Sequence, residues 1–198
     1  MIDIIDIYTT DQGEVNNNKN KIILTHTGRN SINYIQSLKY RNNKKYKKIP
    51  NFVITRDGKI IQTLSPEKYL KYFSLDKMNK ESVVVSLENL GWLEKVPLKN
   101  SYINWIGDIY NGDIFERKWR DYIFWQPYTT EQMESCVLLC KKLSEDMSIK
   151  LKCIGHNTKI NGAERHEGIL TKSNFELYNT DLSPAFNFEQ VKKLLENE

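Results

Sequence analysis

The chain holds three histidines, His26, His156 and His166, and two of them close short apolar runs. Lys21-Ile22-Ile23-Leu24-Thr25 leads into His26 and then Thr27-Gly28, and residues 150–154 lead into Gly155-His156. After a polar loop come Thr180-Asp181 and then Pro184-Ala185-Phe186. Neutral imidazole and carboxylate are both good zinc ligands, and a catalytic zinc takes three protein groups with a fourth position open to water. A carboxylate of another kind stands at Glu88, two residues after Ser86 in an apolar run, so the two would share one face of a strand ~6–7 Å apart. Single His and Asp residues more often serve packing than chemistry. The meaning of these therefore depends on what surrounds them.

The surroundings alternate between strand-like and helix-like stretches. Residues 2–9 read as a strand or an extended arm. Residues 21–26 are too short for a buried helix and fit a central strand. Ile32, Tyr34, Ile35 and Leu38 recur at helical spacing behind Asn30 or Ser31 as cap. Residues 50–62 form two alternating runs about Asp57-Gly58, a hairpin signature. Residues 67–73 read as a short helix. The β-branched run Val83-Val84-Val85 is a second central strand. Thr129 or Thr130 caps a helix whose buried stripe is Met133, Cys136, Val137, Cys140 and Leu143. Residues 150–154 read as the strand that delivers His156, and residues 187–196 as a last helix. Between these lies residues 93–128, dense in Trp, Tyr and Phe, which reads as an inserted cover over one end of the sheet. The strands and helices together predict an α/β fold, a mixed central sheet flanked by helices. A length of 198 residues suits a single domain spanning 1–198 with that insertion.

Composition narrows the function. No apolar run approaches the ~18–20 residues needed to span a membrane. The first residues carry two aspartates and no basic stretch, unlike a secretory signal. Three cysteines, Cys136, Cys140 and Cys153, without zinc-finger spacing, read as reduced buried thiols. A net charge of +4 is too small to imply nucleic acid. Residues 39–48 hold six basic side chains with Tyr40 and Tyr46 between them, which reads as a solvated loop.

The flanking pattern of Gly155-His156, Asp181 and Pro184-Ala185-Phe186 resembles the zinc-dependent N-acetylmuramoyl-L-alanine amidases and peptidoglycan recognition proteins. That family writes an apolar strand, Gly-His, a loop, then Asp or Cys before Pro-Gly-Pro-x-Phe. Residues 50–62 resemble its Tyr-His-Phe-x-Ile-x-x-Asp-Gly-x-Ile hairpin, with Pro50 and Asn51 at the Tyr and His positions. Asn79-x-x-Ser82 through Glu88-Asn89-Leu90-Gly91 resembles its Asn-x-x-Ser-Ile-Gly-Ile-Glu-Leu-x-Asn-x-Gly. The resemblance implies zinc held by His26, His156 and Asp181. Two registers are open for the first ligand. Aligning Thr27 with the family's Thr/Ser puts Thr25 in the ligand slot, and a shift of one puts His26 there. Neighbouring strand residues face opposite ways, so only one register builds the site. His26 is preferred, since His156 and Asp181 otherwise have no reason to come together. Against it stands a core-edge histidine bonded to backbone.

The implied activity is hydrolysis of the amide between N-acetylmuramic acid and L-Ala by a zinc-activated water. The family's catalytic Glu, hairpin Tyr and loop Lys are replaced by Ser86, Pro50 and Asn179, and losing one such group costs ~10²–10⁴ in rate. Glu88, Lys172 and His166 are candidates to compensate. Asn51, Trp92 and Trp105 are candidates to touch substrate. The other reading is a catalytically silent amidase fold that binds peptidoglycan or a protein partner, such as a virion component or a polymerase. With no leader in view, the protein is expected to be made in a bacterial cytoplasm from a phage genome. It would reach the wall after lysis, through a holin, or on a virion.

Overall fold

The structure, a computed structural model, describes residues 3–10, 12–40 and 48–196. Most of the basic stretch at residues 39–48 lies outside them. In chain order the elements are β1 (Ile4–Asp6), β2 (Glu14–Val15), β3 (Lys21–His26), α1 (Ser31–Tyr40), β4 (Phe52–Ile54), β5 (Ile60–Gln62), β6 (Lys68–Tyr69), α2 (Asp76–Glu81) and β7 (Ser82–Leu87). There follow β8 (Trp92–Lys95), β9 (Tyr102–Ile103), β10 (Ile109–Tyr110), β11 (Phe115–Trp119), β12 (Tyr122–Trp125), α3 (Thr130–Met147), β13 (Gly168–Thr171) and α4 (Phe188–Glu196).

A six-stranded mixed sheet, in the order β1-β5-β4-β7-β3-β13, forms the centre. β4, β7, β3 and β13 run parallel, and β5 returns antiparallel through the Asp57-Gly58 turn. Parallel strands are covered on both faces, which is why β3 and β7 read as unbroken apolar runs. Alternation then sorts their side chains. Ile22, Leu24, Val83, Val85 and Leu87 pack with Met133, Cys136, Val137, Cys140 and Leu143 of α3 and Val191 and Leu195 of α4. On the other face Ile23, Val84 and Leu170 meet Tyr72, Phe73 and Met78, and Val53 and Ile61 meet Tyr34, Ile35 and Leu38 of α1.

The starts of α1 and α3 are capped as their sequences predict. The Asn33 amide donates to Asn30 Oδ1 at 2.9 Å, and Thr129 and Gln132 form a reciprocal capping box at α3. Two expectations fail. Residues 67–73 contain no helix: β6 pairs antiparallel with β2 in a small ribbon, a run too short for its period to distinguish the two. Residues 150–154 are not a strand beside β3. That place belongs to β13, whose Gly168–Thr171 run against Lys21–Leu24 in register. Residues 150–154 lie outside β13, joined by one bridge, Cys153 to Ile169. Gly168 permits the close approach: a Cβ there would fall 2.3 Å from the Lys152 carbonyl oxygen, at a φ of +121°.

The aromatic-rich stretch is a sheet of its own, β10-β9-β8-β12-β11. Trp125 is its fully buried anchor; the indole donates to the Arg117 carbonyl at 2.8 Å and meets Tyr122 edge-on. Asn89 and Gln126 tie it to the central sheet: Asn89 Nδ2 donates to the Gln126 carbonyl at 3.0 Å, and the Leu90 amide to Gln126 Oε1 at 2.7 Å. Among the described residues no helix is long and apolar enough to cross a membrane.

Candidate functional site

The parallel strands β4, β7, β3 and β13 all end at one edge of the central sheet, and polar side chains collect there. His26 ends β3. Its Nε2 lies 2.7 Å from Asp181 Oδ1, and its Nδ1 lies 3.5 Å from the buried Tyr128 hydroxyl. With Nε2 facing the carboxylate, the other ring nitrogen is left to the Tyr128 hydroxyl. Gly91, at a φ of +79°, lies flat against the imidazole; a Cβ there would stand 3.1 Å from His26 Cε1 and Nε2. The histidine is thus held from three sides.

Asp181 has a second partner. β13 ends at Thr171, level with Leu24 of β3, so the next residue, Lys172, emerges beside the end of β3. Its Nζ lies 3.5 Å from Asp181 Oδ2, 3.8 Å from Glu176 and 5.8 Å from the centre of the Tyr72 ring. Backbone bonds lock this pairing. The Ser173 amide donates to the Asp181 carbonyl at 2.8 Å, and the Asp181 amide donates to Asn179 Oδ1 at 2.9 Å. Burial alone would raise the Asp181 carboxyl, but the His26 and Lys172 charges outweigh it and hold it below the usual carboxylate value. Burial likewise pulls the Lys172 amine down, and Asp181, Tyr72 and Glu176 together override it, leaving the amine above its usual value. Both groups are therefore charged at neutral pH.

The candidates suggested by the sequence are divided by this arrangement. His26 and Asp181 come together. Thr25, the other register for the first ligand, is fully buried on the opposite face of β3, its hydroxyl 3.3 Å from that of Tyr72. His156 starts from the segment outside β13, two strand spacings or ~10 Å from β3. It is exposed, its Nδ1 accepts from the Thr158 amide at 3.2 Å, and it lines a groove of about 700 Å³ with Phe115, Trp119, Phe186 and the same Tyr128 that meets His26. Ser86 is fully buried, paired in register with Thr25, and its hydroxyl has no hydrogen-bond partner among the described residues. Glu88 accepts the Arg56 amide at 3.0 Å and so caps the β4–β5 turn. Asn179 shapes the loop at Asp181. His166 precedes β13, at the far end of the sheet, its Nε2 3.0 Å from the Lys152 carbonyl oxygen.

Of the residues suggested for substrate, Asn51 is buried and braces the chain's own backbone. Its amide nitrogen donates to the Ser65 and Lys68 carbonyls, and its oxygen accepts the Val84 amide. Trp92 stacks on Tyr122 at 4.4 Å. Trp105 is 48% exposed beside the loop that follows His26. Its indole donates to the Gly28 carbonyl at 2.7 Å, with the Arg29 guanidinium 5.3 Å from the ring. Arg120, in the β11–β12 turn, reaches across to the Leu177 carbonyl above the Lys172–Asp181 loop. Sequence reasoning missed Tyr72, Tyr128, Gly91 and Arg120 as parts of this site. The signals available were Gly91, in the Asn89-Leu90-Gly91 motif, and Asn79, whose side-chain oxygen accepts the Tyr72 and Phe73 amides and so fixes Tyr72.

The zinc implied by the resemblance does not fit this geometry. A catalytic site needs three protein ligands, and His26 and Asp181, hydrogen-bonded to each other at 2.7 Å, are only two. The other carboxylate oxygen faces an ammonium, and among the described residues no three His, Cys, Asp or Glu side chains form a group that could hold a metal ion.

Comparison with known proteins places this geometry. A family model described as N-acetylmuramoyl-L-alanine amidase matches residues 16–168. No curated protein sequence matches the chain. Among solved structures, the N-acetylmuramoyl-L-alanine amidase LysC from Clostridium intestinale is 15% identical, with 98% of each chain covered and a TM-score of 0.57. The peptidoglycan recognition protein LCa–LCx ectodomain complex bound to tracheal cytotoxin is 11% identical, covering 98% of this chain and 96% of that one, with a TM-score of 0.58. The amidase AmiD from E. coli, in complex with an anhydro-N-acetylmuramic acid peptide, is 13% identical, covering 93% of this chain and 60% of that one, with a TM-score of 0.57.

Proposed function

The chain belongs to the N-acetylmuramoyl-L-alanine amidase family, and from that premise we propose that it recognises peptidoglycan fragments without the family's zinc hydrolysis. One observation carries the reading: the carboxylate of Asp181 is shared between the His26 imidazole and the Lys172 ammonium, so the sheet end presents a closed charge set in place of three converging ligands. The ligand's muramyl and stem-peptide portions would lie across this end. Trp105 and Arg29 offer an aromatic face and a cation at its rim, suited to a sugar ring and a peptide carboxylate. On this reading the protein meets its ligand at a bacterial cell wall.

The test is retention of the purified protein on insoluble peptidoglycan, run beside a wall-clearing assay, each with zinc and with a chelator. Saturable retention that is indifferent to both, without release of muropeptides, is the expected result. Zinc-dependent appearance of free stem peptide would overturn the reading, and so would failure to bind the wall.

A further inference from the structure

We propose that the ammonium of Lys172 is a built-in substitute for the metal ion of this fold, a fixed positive charge delivered by the strand next to β3. The proposal rests on the zinc-free reading above and says what replaces the ion. It stands on placement. β13 lies between β3 and the segment that carries His156. The residue just past its end is therefore the one that reaches the sheet end beside His26, and that residue is Lys172. The amine is largely shielded, its side chain 13% exposed, and it lies 3.5 Å from the Asp181 oxygen that His26 leaves free. A carboxylate buried at this depth needs a compensating cation. The Lys172 ammonium supplies one at the second carboxylate oxygen and never dissociates from the chain. The groups facing Lys172 are Asp181 and Glu176 as anions, with Tyr72 as a neutral ring.

If Lys172 stands in the place of an ion's third ligand, an imidazole at that position reaches the same point as His26 and Asp181; if the ammonium only pairs with the outer carboxylate oxygen, it does not. The substitution Lys172→His places an imidazole where the amine stands and completes a set of two imidazoles and a carboxylate. The wild-type protein and the variant would each be purified with zinc supplied, dialysed, and titrated against a chromophoric chelator. The wild type should keep almost no zinc. The variant should keep about one ion per chain and bind it ~100-fold more tightly than the wild type. Equal zinc affinity in the two proteins, with the variant folded by circular dichroism, overturns the proposal.

If Lys172→His fails to fold, Lys172→Ala serves. Its lowered melting temperature should recover in methylammonium but not in tetramethylammonium, which cannot enter or donate. Absence of a selective recovery also overturns the proposal. Wall retention measured on the wild type in parallel keeps the two readings separable, since its loss would sink peptidoglycan recognition while leaving the zinc titration to judge Lys172.

Discussion

Asp181 carries more of this site than any other side chain, because its two oxygens organise the last residue of β3 and the first residue past β13. Removing one partner of a buried ion pair costs more than the pair is worth, since the other charge is left without compensation. Asp181→Asn should therefore lose ~3–5 kcal/mol of unfolding free energy in urea, while Asp181→Asn combined with Lys172→Met should recover most of it. A double variant no more stable than the single one would show that the pair is not the coupled unit. Ser86 makes the opposite case. Its buried hydroxyl has no partner, and a buried unsatisfied hydroxyl costs ~1–3 kcal/mol. Ser86→Ala should leave the melting temperature unchanged or raise it, measured by calorimetry, and leave wall retention intact. A clear fall in retention would return Ser86 to the functional residues.

Elements explain why Asp181 and His26 were legible in the sequence and Lys172's role was not. β3, β7 and the β4–β5 hairpin announce themselves by unbroken apolar runs and an Asp-Gly turn, and helix α3 by its capping box. His26 follows from β3, and Asp181 from the resemblance carried by Pro184-Ala185-Phe186. The position of Lys172 depends instead on β13, four residues beginning at a glycine, with no period to mark them against the flanking loops. Its insertion between β3 and residues 150–154 is a long-range pairing decided by packing, and it moves His156 away from the site. The second sheet escaped for a related reason: strands of two to five residues read as a run of aromatics. That sheet carries the third prediction. Trp105 is the exposed aromatic at the rim, hydrogen-bonded to the loop after β3. Trp105→Ala should weaken muropeptide binding about tenfold, ~1.4 kcal/mol by calorimetric titration, with the melting temperature little altered. An unchanged affinity would place the ligand elsewhere.

At the scale of the molecule, buried charges make stability depend on pH in two directions. Asp181 is held below the ordinary 3.8, so it contributes stability above that value and loses it as pH falls through its folded value. Lys172 is held above 10.5, so its contribution is complete below that and is lost only as pH rises beyond it. Lys19 runs the other way. Burial lowers its amine to about 8, against the raising influence of Glu67. Between that value and 10.5 the unfolded chain binds the proton and the folded chain does not, so stability should rise with pH across that window. Melting temperatures should increase from pH 7.5 to 9.5, and Lys19→Met should flatten the rise; a slope identical in the two proteins would clear Lys19 of the effect. The single bridge that holds residues 150–154 outside β13 has a different consequence, one of order in time. β7 is paired with β3 along its whole length and with β4 over Val85–Leu87, whereas β13 is guarded on one side by that bridge alone. In deuterated water the amides of residues 150–160 should exchange first, those of β13 next, and those of β7 only on global unfolding. Fluctuations that reach the central sheet would then begin at the margin bearing Lys172, and its ammonium would meet solvent while the strand carrying His26 was still closed.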